Sequence, residues 1–230
     1  MPLLYDIGKL TVGTTLRLGW RPRVEGLEHL PRHGGAILAG NHLSVADEVF
    51  LGCLTPRHVT FWAKAEYFTG RGPSGWLSRR IVAGMGAIRV ERAGGRAALT
   101  ALDVAVPVLR AGGLVAIYPE GTRSPDGRLY RGRVGMTRLA RDADVPIIPV
   151  GVLGTAEVLP VDARLPRRHP VTLRFGPPIP VAGRVTGPRD IRTITDEVMA
   201  AIQRLTDQEY VPRYAPPRPA RVAGRGEGEA

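Results

Sequence analysis

The chain has 230 residues, 43% of them hydrophobic and 23% charged, which suits a single packed α/β domain. Its formal charge is +11, and Lys9 and Lys64 are its only lysines, so arginine carries nearly all of an excess that points to phosphate groups, a membrane surface or nucleic acid. Cys53 is the only cysteine, which excludes a disulfide framework and a cysteine metal cluster.

Residues 3–18 carry Leu3, Leu4, Ile7, Leu10, Thr14 and Leu18 at helical spacing, with one apolar side. Two readings fit this amphipathic helix: packing on the domain, or lying among lipid head groups with Lys9 and Arg17 on the polar side. It defines a first segment, residues 1–20. There is no signal-peptide layout and no run of about 18 apolar residues, so the expected location is cytoplasmic, peripheral on the inner face of the cell membrane.

From residue 21 strands and helices alternate. Strands are expected over residues 36–39, 59–63, 87–90, 114–118, 147–153 and 171–175. Helices are expected over 45–54, 75–82, 96–109, 134–143 and 188–205. That alternation predicts a mostly parallel central sheet flanked by helices, filling residues 21–211. From Pro212 onward Pro, Arg, Gly and Glu dominate, and 212–230 read as a disordered tail. Cys53, beside Leu51 and Leu54, reads as a small buried hydrophobe.

Ligands of open α/β sheets collect beyond the carboxyl ends of the strands. Asn41 and His42 follow the first strand, Arg92 follows the third, and Glu120, Gly121, Thr122 and Arg123 follow the fourth. All should meet at one edge of the sheet. His42 and Asp47 are five residues apart, about 140° around a regular helix, so they meet only if His42 precedes the helix. Ser44 would then be the N-cap and Asp47 would stand at N3, its carboxylate tilted back toward the imidazole. Helix capping by Ser44 and Asp47 explains those two residues equally well, but not Asn41 or His42. As chemistry, the pair suits a general base: a neutral imidazole takes a hydroxyl proton and the carboxylate fixes its tautomer. No HExxH spacing occurs, so no metal is expected.

With its order of motifs, the chain resembles the glycerolipid acyltransferases, in particular the 1-acylglycerol-3-phosphate acyltransferases of the PlsC type. The likeness rests on His42-x₄-Asp47 and Glu120-Gly121-Thr122-Arg123. It extends to Val24-Glu25-Gly26-Leu27-Glu28-His29-Leu30-Pro31, Phe61-Trp62-Ala63-Lys64-Ala65-Glu66, Gly86-Ala87-Ile88-Arg89-Val90-Glu91-Arg92 and Val145-Pro146-Ile147-Ile148-Pro149-Val150. It implies a glycerolipid-acyltransferase-like fold and an O-acyltransferase of phospholipid biosynthesis. His42 would deprotonate the free hydroxyl of a lysophospholipid such as lysophosphatidate, and Asp47 would orient His42. The donor would be acyl-CoA or acyl-carrier protein, with no other cofactor. Lys64, Arg92, Glu120, Gly121, Thr122, Arg123 and Arg133 would form the phosphate-binding set. Two departures bear on acceptor choice: Arg133 stands where relatives often carry lysine, and Arg89 where they usually carry an apolar residue or proline. Residues 81–86 fit either an acyl groove or core packing.

Two rivals remain at this stage. A hydrolase would use His42 to activate water against a thioester or ester. A nucleic-acid-binding protein would account for the charge, but aromatics are only 6% of the chain and none is interleaved with the arginines as a stacking platform. No nucleic-acid partner is expected.

Overall fold

The computed structural model describes residues 2–64, 88–90, 96–160, 163 and 165–216. A long helix, α1 (Pro2–Trp20), leads into β1 (Arg23–Glu25), a short 3₁₀ turn and β2 (Ala36–Gly40). Then come α2 (Ala46–Leu54), β3 (Val59–Thr60), β4 (Trp62–Lys64), β5 (Ile88–Val90), α3 (Arg96–Arg110) and β6 (Leu114–Ile117). The chain continues through β7 (Leu129–Tyr130), α4 (Gly135–Ala143), β8 (Ile147–Leu153), α5 (Thr155–Val158) and β9 (Thr172–Phe175). It closes with α6 (Pro188–Thr206) and β10 (Tyr210–Val211).

Six strands form the central sheet in the order β1-β9-β8-β2-β6-β3. All neighbours are parallel except β8 and β9. The alternation of side chains along each strand splits the core in two. Ile37, Ala39, Val115 and Ile147 face α3, α4 and α6, whereas Ala36, Leu38, Leu114, Ala116, Ile148, Val150 and Val152 face the α1–α2 side. Burial of β2 over all five residues explains its unbroken apolar sequence, as a strand covered on both faces requires.

Three expectations change in the fold. The run over 59–63 divides: β3 joins the main sheet, but β4 leaves it and pairs in parallel with β5 as a separate two-stranded ribbon. The strand preceding Arg92 therefore does not end at the central sheet's edge. Arg92, the expected helix over 75–82 and the segment 81–86 lie outside the described residues. Second, the tail does not begin at Pro212. β10 pairs with β7, and Val211 and Ala215 bury against Tyr130, because an apolar residue at every fourth position gives this Pro-rich segment something to pack. Third, the strands β1, β7 and β10 join those expected, since two or three residues are too few for an apolar period to be legible.

α1 is helical as expected and docks by the side opposite its apolar stripe. Leu16 is buried, Trp20 meets Phe50 edge-on with ring centroids 6.4 Å apart, and the Lys9 ammonium donates to the Pro56 and Arg57 carbonyls at 3.0 and 3.2 Å. Ile7, Leu10 and Leu18 are left exposed, Leu18 at 72%. Among the described residues no helix is long and apolar enough to cross a membrane.

Candidate active site

β2 and β6 lie side by side in parallel, with Ala39 opposite Ile117. Carried two and three residues past the strand ends, that register sets His42 opposite Glu120. The structure keeps it: the His42 backbone N–H donates to Glu120 Oε1 at 3.3 Å, and the Ser124 N–H donates to the His42 carbonyl at 2.7 Å. The loop carrying Gly121, Thr122 and Arg123 is thus bonded to His42 on both sides of its peptide.

The imidazole is held from two further directions. Its Nδ1 lies 2.8 Å from Asp47 Oδ2. Its ring stacks on Tyr118, with centroids 3.9 Å apart and planes 11° from parallel. Gly40 lies against the tyrosine ring: a β-carbon there would stand in ordinary contact with it, 3.6 Å from Tyr118 Cε1. With Nδ1 donating to the carboxylate, Nε2 keeps its lone pair. Asp47 is fully buried, and its Oδ2 also accepts the Leu43 and Ser44 backbone N–H groups at 2.7 and 2.9 Å. Three donors on one oxygen keep the carboxylate from turning away.

The helix begins slightly later than the sequence suggests. Its N-cap is Val45, so Asp47 stands at N2 rather than N3. The Ser44 hydroxyl does not reach the N3 amide; it accepts from the Ala46 N–H at 3.2 Å and donates to the Leu159 carbonyl at 2.7 Å. Capping and orientation of His42 turn out to be one arrangement, since the carboxylate that ties down the helix entry also holds the imidazole. Its place in the first turn of α2 suits its charge.

Asn41 is a brace. Its amide exchanges two hydrogen bonds of 2.8 Å with the Val152 backbone, tying the end of β2 to β8. His29, upstream, bonds the Phe175 carbonyl at 2.7 Å and stands apart from this chemistry.

Glu120 was expected to bind phosphate, and it stands instead between two backbone amides. Oε1 takes His42 N–H and Oε2 takes Tyr130 N–H at 2.9 Å, with the side chain 1% exposed. Burial first, with the neighbouring Asp47 and Asp126 adding to it, lifts its carboxyl from 4.5 to about 7 against the pull of those two N–H donors. Because the folded value is raised, this group favours folding most below its ordinary pKa and loses that contribution as pH rises through about 7. Between about pH 4 and about pH 8, the unfolding free energy of Glu120→Gln should gain on that of the wild type by roughly 3 kcal/mol, at about 1.4 kcal/mol per unit. Denaturant titrations read this directly, and a difference that does not move with pH would remove Glu120 from the balance.

Gly121 has a left-handed φ of 77°, which permits the tight turn after Glu120. The Arg133 side chain lies across it; a β-carbon on Gly121 would stand 2.9 Å from Arg133 Nε. The Arg133 N–H donates to the Pro119 carbonyl at 2.8 Å, so Arg133 joins the 120–124 loop although it stands on the β7–α4 connection. Thr122 and Arg123 are half-buried on the same loop. Lys64 belongs to β4, in the separate ribbon. No group of three or more potential metal ligands occurs among the described residues.

Tyr118 escaped the sequence reading. It ends the apolar run before Pro119, and nothing local distinguishes it from a core aromatic. Only the β2–β6 register brings it over His42.

A family model described as Acyltransferase matches residues 21–153, the span that builds this rim. The chain belongs to the acyltransferase family. It is 32% identical over 160 residues to a 1-acyl-sn-glycerol-3-phosphate acyltransferase of Limnanthes douglasii, covering 68% of this chain and 54% of the relative. It is 27% identical over 183 residues to 1-acyl-sn-glycerol-3-phosphate acyltransferase alpha of Homo sapiens, covering 78% of this chain and 62% of that one. The acyltransferase chain thus spans about half to three-fifths of the length of these relatives. Its fold is similar to the crystal structure of the 1-acyl-sn-glycerophosphate acyltransferase PlsC from Thermotoga maritima. That match has a TM-score of 0.66 and 25% identity, and covers 88% of this chain and 78% of the other.

Proposed function

We propose that this acyltransferase moves an acyl group from a thioester, acyl-CoA or acyl-carrier protein, to the free hydroxyl of lysophosphatidate, giving phosphatidate for phospholipid synthesis. The observation that carries the reading is the His42–Asp47 pair, 2.8 Å apart, bonded through its own backbone to the arginine-bearing 120–124 loop. His42 Nε2 takes the hydroxyl proton as the oxygen attacks the thioester carbonyl. The tetrahedral intermediate collapses with loss of the thiolate, and the imidazolium returns the proton to sulfur. Asp47 holds the tautomer and stabilises the imidazolium in between. Arg123 and Arg133 are the groups suited to the acceptor phosphate, since a guanidinium fork pairs two phosphate oxygens at once. The relatives' names support this acceptor.

The test is a set of acceptors offered with one radiolabelled acyl donor: lysophosphatidate, a lysophospholipid with a capped phosphate, and monoacylglycerol. Labelled phosphatidate should dominate. Preferential labelling of either of the others would refute the acceptor assignment.

In this reading the reaction runs on the inner face of the cell membrane, with α1 as the contact. Its exposed Ile7, Leu10 and Leu18 form the apolar side of an interfacial helix. At its carboxyl end a cleft of about 610 Å³ is bordered by Arg21, Arg23, Arg168 and His169. β1 and β9 start at the sheet edge where β2 ends, because Thr172 pairs with both Arg23 and Leu153. The basic cleft and His42 therefore share one edge. Leu10→Glu with Leu18→Glu touches no buried residue and should abolish co-sedimentation with anionic vesicles. Equal sedimentation of variant and wild type would show that α1 is not the contact.

A further inference from the structure

The C-terminal strap holds Arg133 together with a neighbouring arginine, Arg131. α6 ends at Thr206, and Asp207 turns the chain back with a left-handed φ of 56°. β10 then runs parallel to β7, the Leu129 N–H donates to the Glu209 carbonyl, and the Arg131 N–H donates to the Arg213 carbonyl, each at 3.0 Å. Tyr130, Val211 and Ala215 bury together behind it. This anchoring carries the Tyr214 ring outward, 46% exposed, against two guanidinium groups. The carbon centre of Arg131 lies 5.6 Å from its centroid and that of Arg133 lies 5.1 Å away, both within cation–π range.

The backbone beneath the two arginines is fixed. Gly132 C=O accepts from Arg192 Nη1 at 2.8 Å, and a β-carbon on Gly132 would meet Met199 Sδ at 2.7 Å. Residues two apart on an extended segment point the same way, so Arg131 and Arg133 present their charges side by side. Neither guanidinium makes a salt bridge to a carboxylate among the described residues. Two like charges held over one ring, with no carboxylate at salt-bridge distance among the described residues, are arranged to receive an anion. The Arg133 side chain also lies on Gly121, so that anion would sit beside the 120–124 loop.

We infer that Tyr214 is a positioning residue for acceptor selection: its ring holds Arg133, with Arg131, in the orientation that binds the phosphate monoester of the acceptor. The inference rests on the lysophosphatidate reading and adds to it the group that sets the affinity. The ring acts through the arginines and touches no reacting atom, so its loss shows in KM rather than in kcat.

The experiment uses the full chain and five forms: wild type, Tyr214→Ala, Tyr214→Phe, Arg133→Ala, and Tyr214→Ala combined with Arg133→Ala. Steady-state constants are measured for lysophosphatidate and for monoacylglycerol with one donor, and a thermal melt checks folding. Loss of two partly exposed cation–π contacts should raise the lysophosphatidate KM of Tyr214→Ala by about tenfold, with kcat within about twofold. Tyr214→Phe should behave as wild type, because the ring face is what matters. The double variant should lose less than the product of the two single losses, as expected of residues acting as one unit. An unchanged lysophosphatidate KM in Tyr214→Ala overturns the inference, and so does an equal rise for monoacylglycerol or a fall in kcat alone. Failure of the wild type to use lysophosphatidate at all would sink the acceptor reading instead, which is a different result.

Discussion

Replacing His42 with alanine should lower kcat for acyl transfer by about 10²–10⁴, the usual worth of a positioned general base. The fold should survive it. The His42 side chain is 13% exposed at a rim, and its backbone bonds to Glu120 and Ser124 do not depend on the imidazole. What is lost is the Nε2 lone pair and one face of the Tyr118 stack. Acceptor KM should move little, because the arginine-bearing loop is anchored through main-chain atoms. Turnover within about threefold of wild type would refute the assignment of His42 as the base.

Asp47 should separate into two effects when changed in two ways. Asp47→Asn keeps an oxygen where Oδ2 stands, so the Leu43 and Ser44 N–H groups retain an acceptor and the protein stays folded. It removes the charge that stabilises the imidazolium, so kcat should fall by roughly 10²–10⁴. Asp47→Ala removes the acceptor as well. One buried and one part-buried backbone N–H group, of Ser44 and Leu43, then lose their partner, at about 1–3 kcal/mol each at most, a sizeable part of a total stability of about 5–15 kcal/mol. Urea midpoints should therefore place Asp47→Ala well below Asp47→Asn, with both nearly inactive. Equal midpoints would mean that the carboxylate does not hold the helix entry.

The order of strands and helices was legible in the sequence because most of the main-sheet strands are apolar runs ending at polar clusters. β8, over Ile147–Leu153, matches its expected span, and α6 differs by one residue. The pairing of His42 with Asp47 was legible for a different reason: a helix start fixes where side chains tilt, so spacing alone restricts the geometry. Glu120 shows where such reasoning stops. Its place in a polar cluster suggested a ligand contact, whereas its two acceptor oxygens are taken by amides 78 and 10 residues away in sequence. Partners that distant depend on strand register, which no local pattern encodes. The same holds for Tyr118 over His42 and for Tyr214 over Arg133. The split of residues 59–63 between two sheets was hidden as well, since continuous apolar character says that a strand is buried and not which sheet it joins.

Thiol release from acyl-CoA, followed with and without lysophosphatidate in wild-type protein and in His42→Ala, tests most directly whether His42 with Asp47 activates an acceptor hydroxyl. Release in the wild type should begin only on adding lysophosphatidate and should match phosphatidate formed mole for mole, with His42→Ala silent in both. Release at the same rate without acceptor, water taking the hydroxyl's place, would contradict the account.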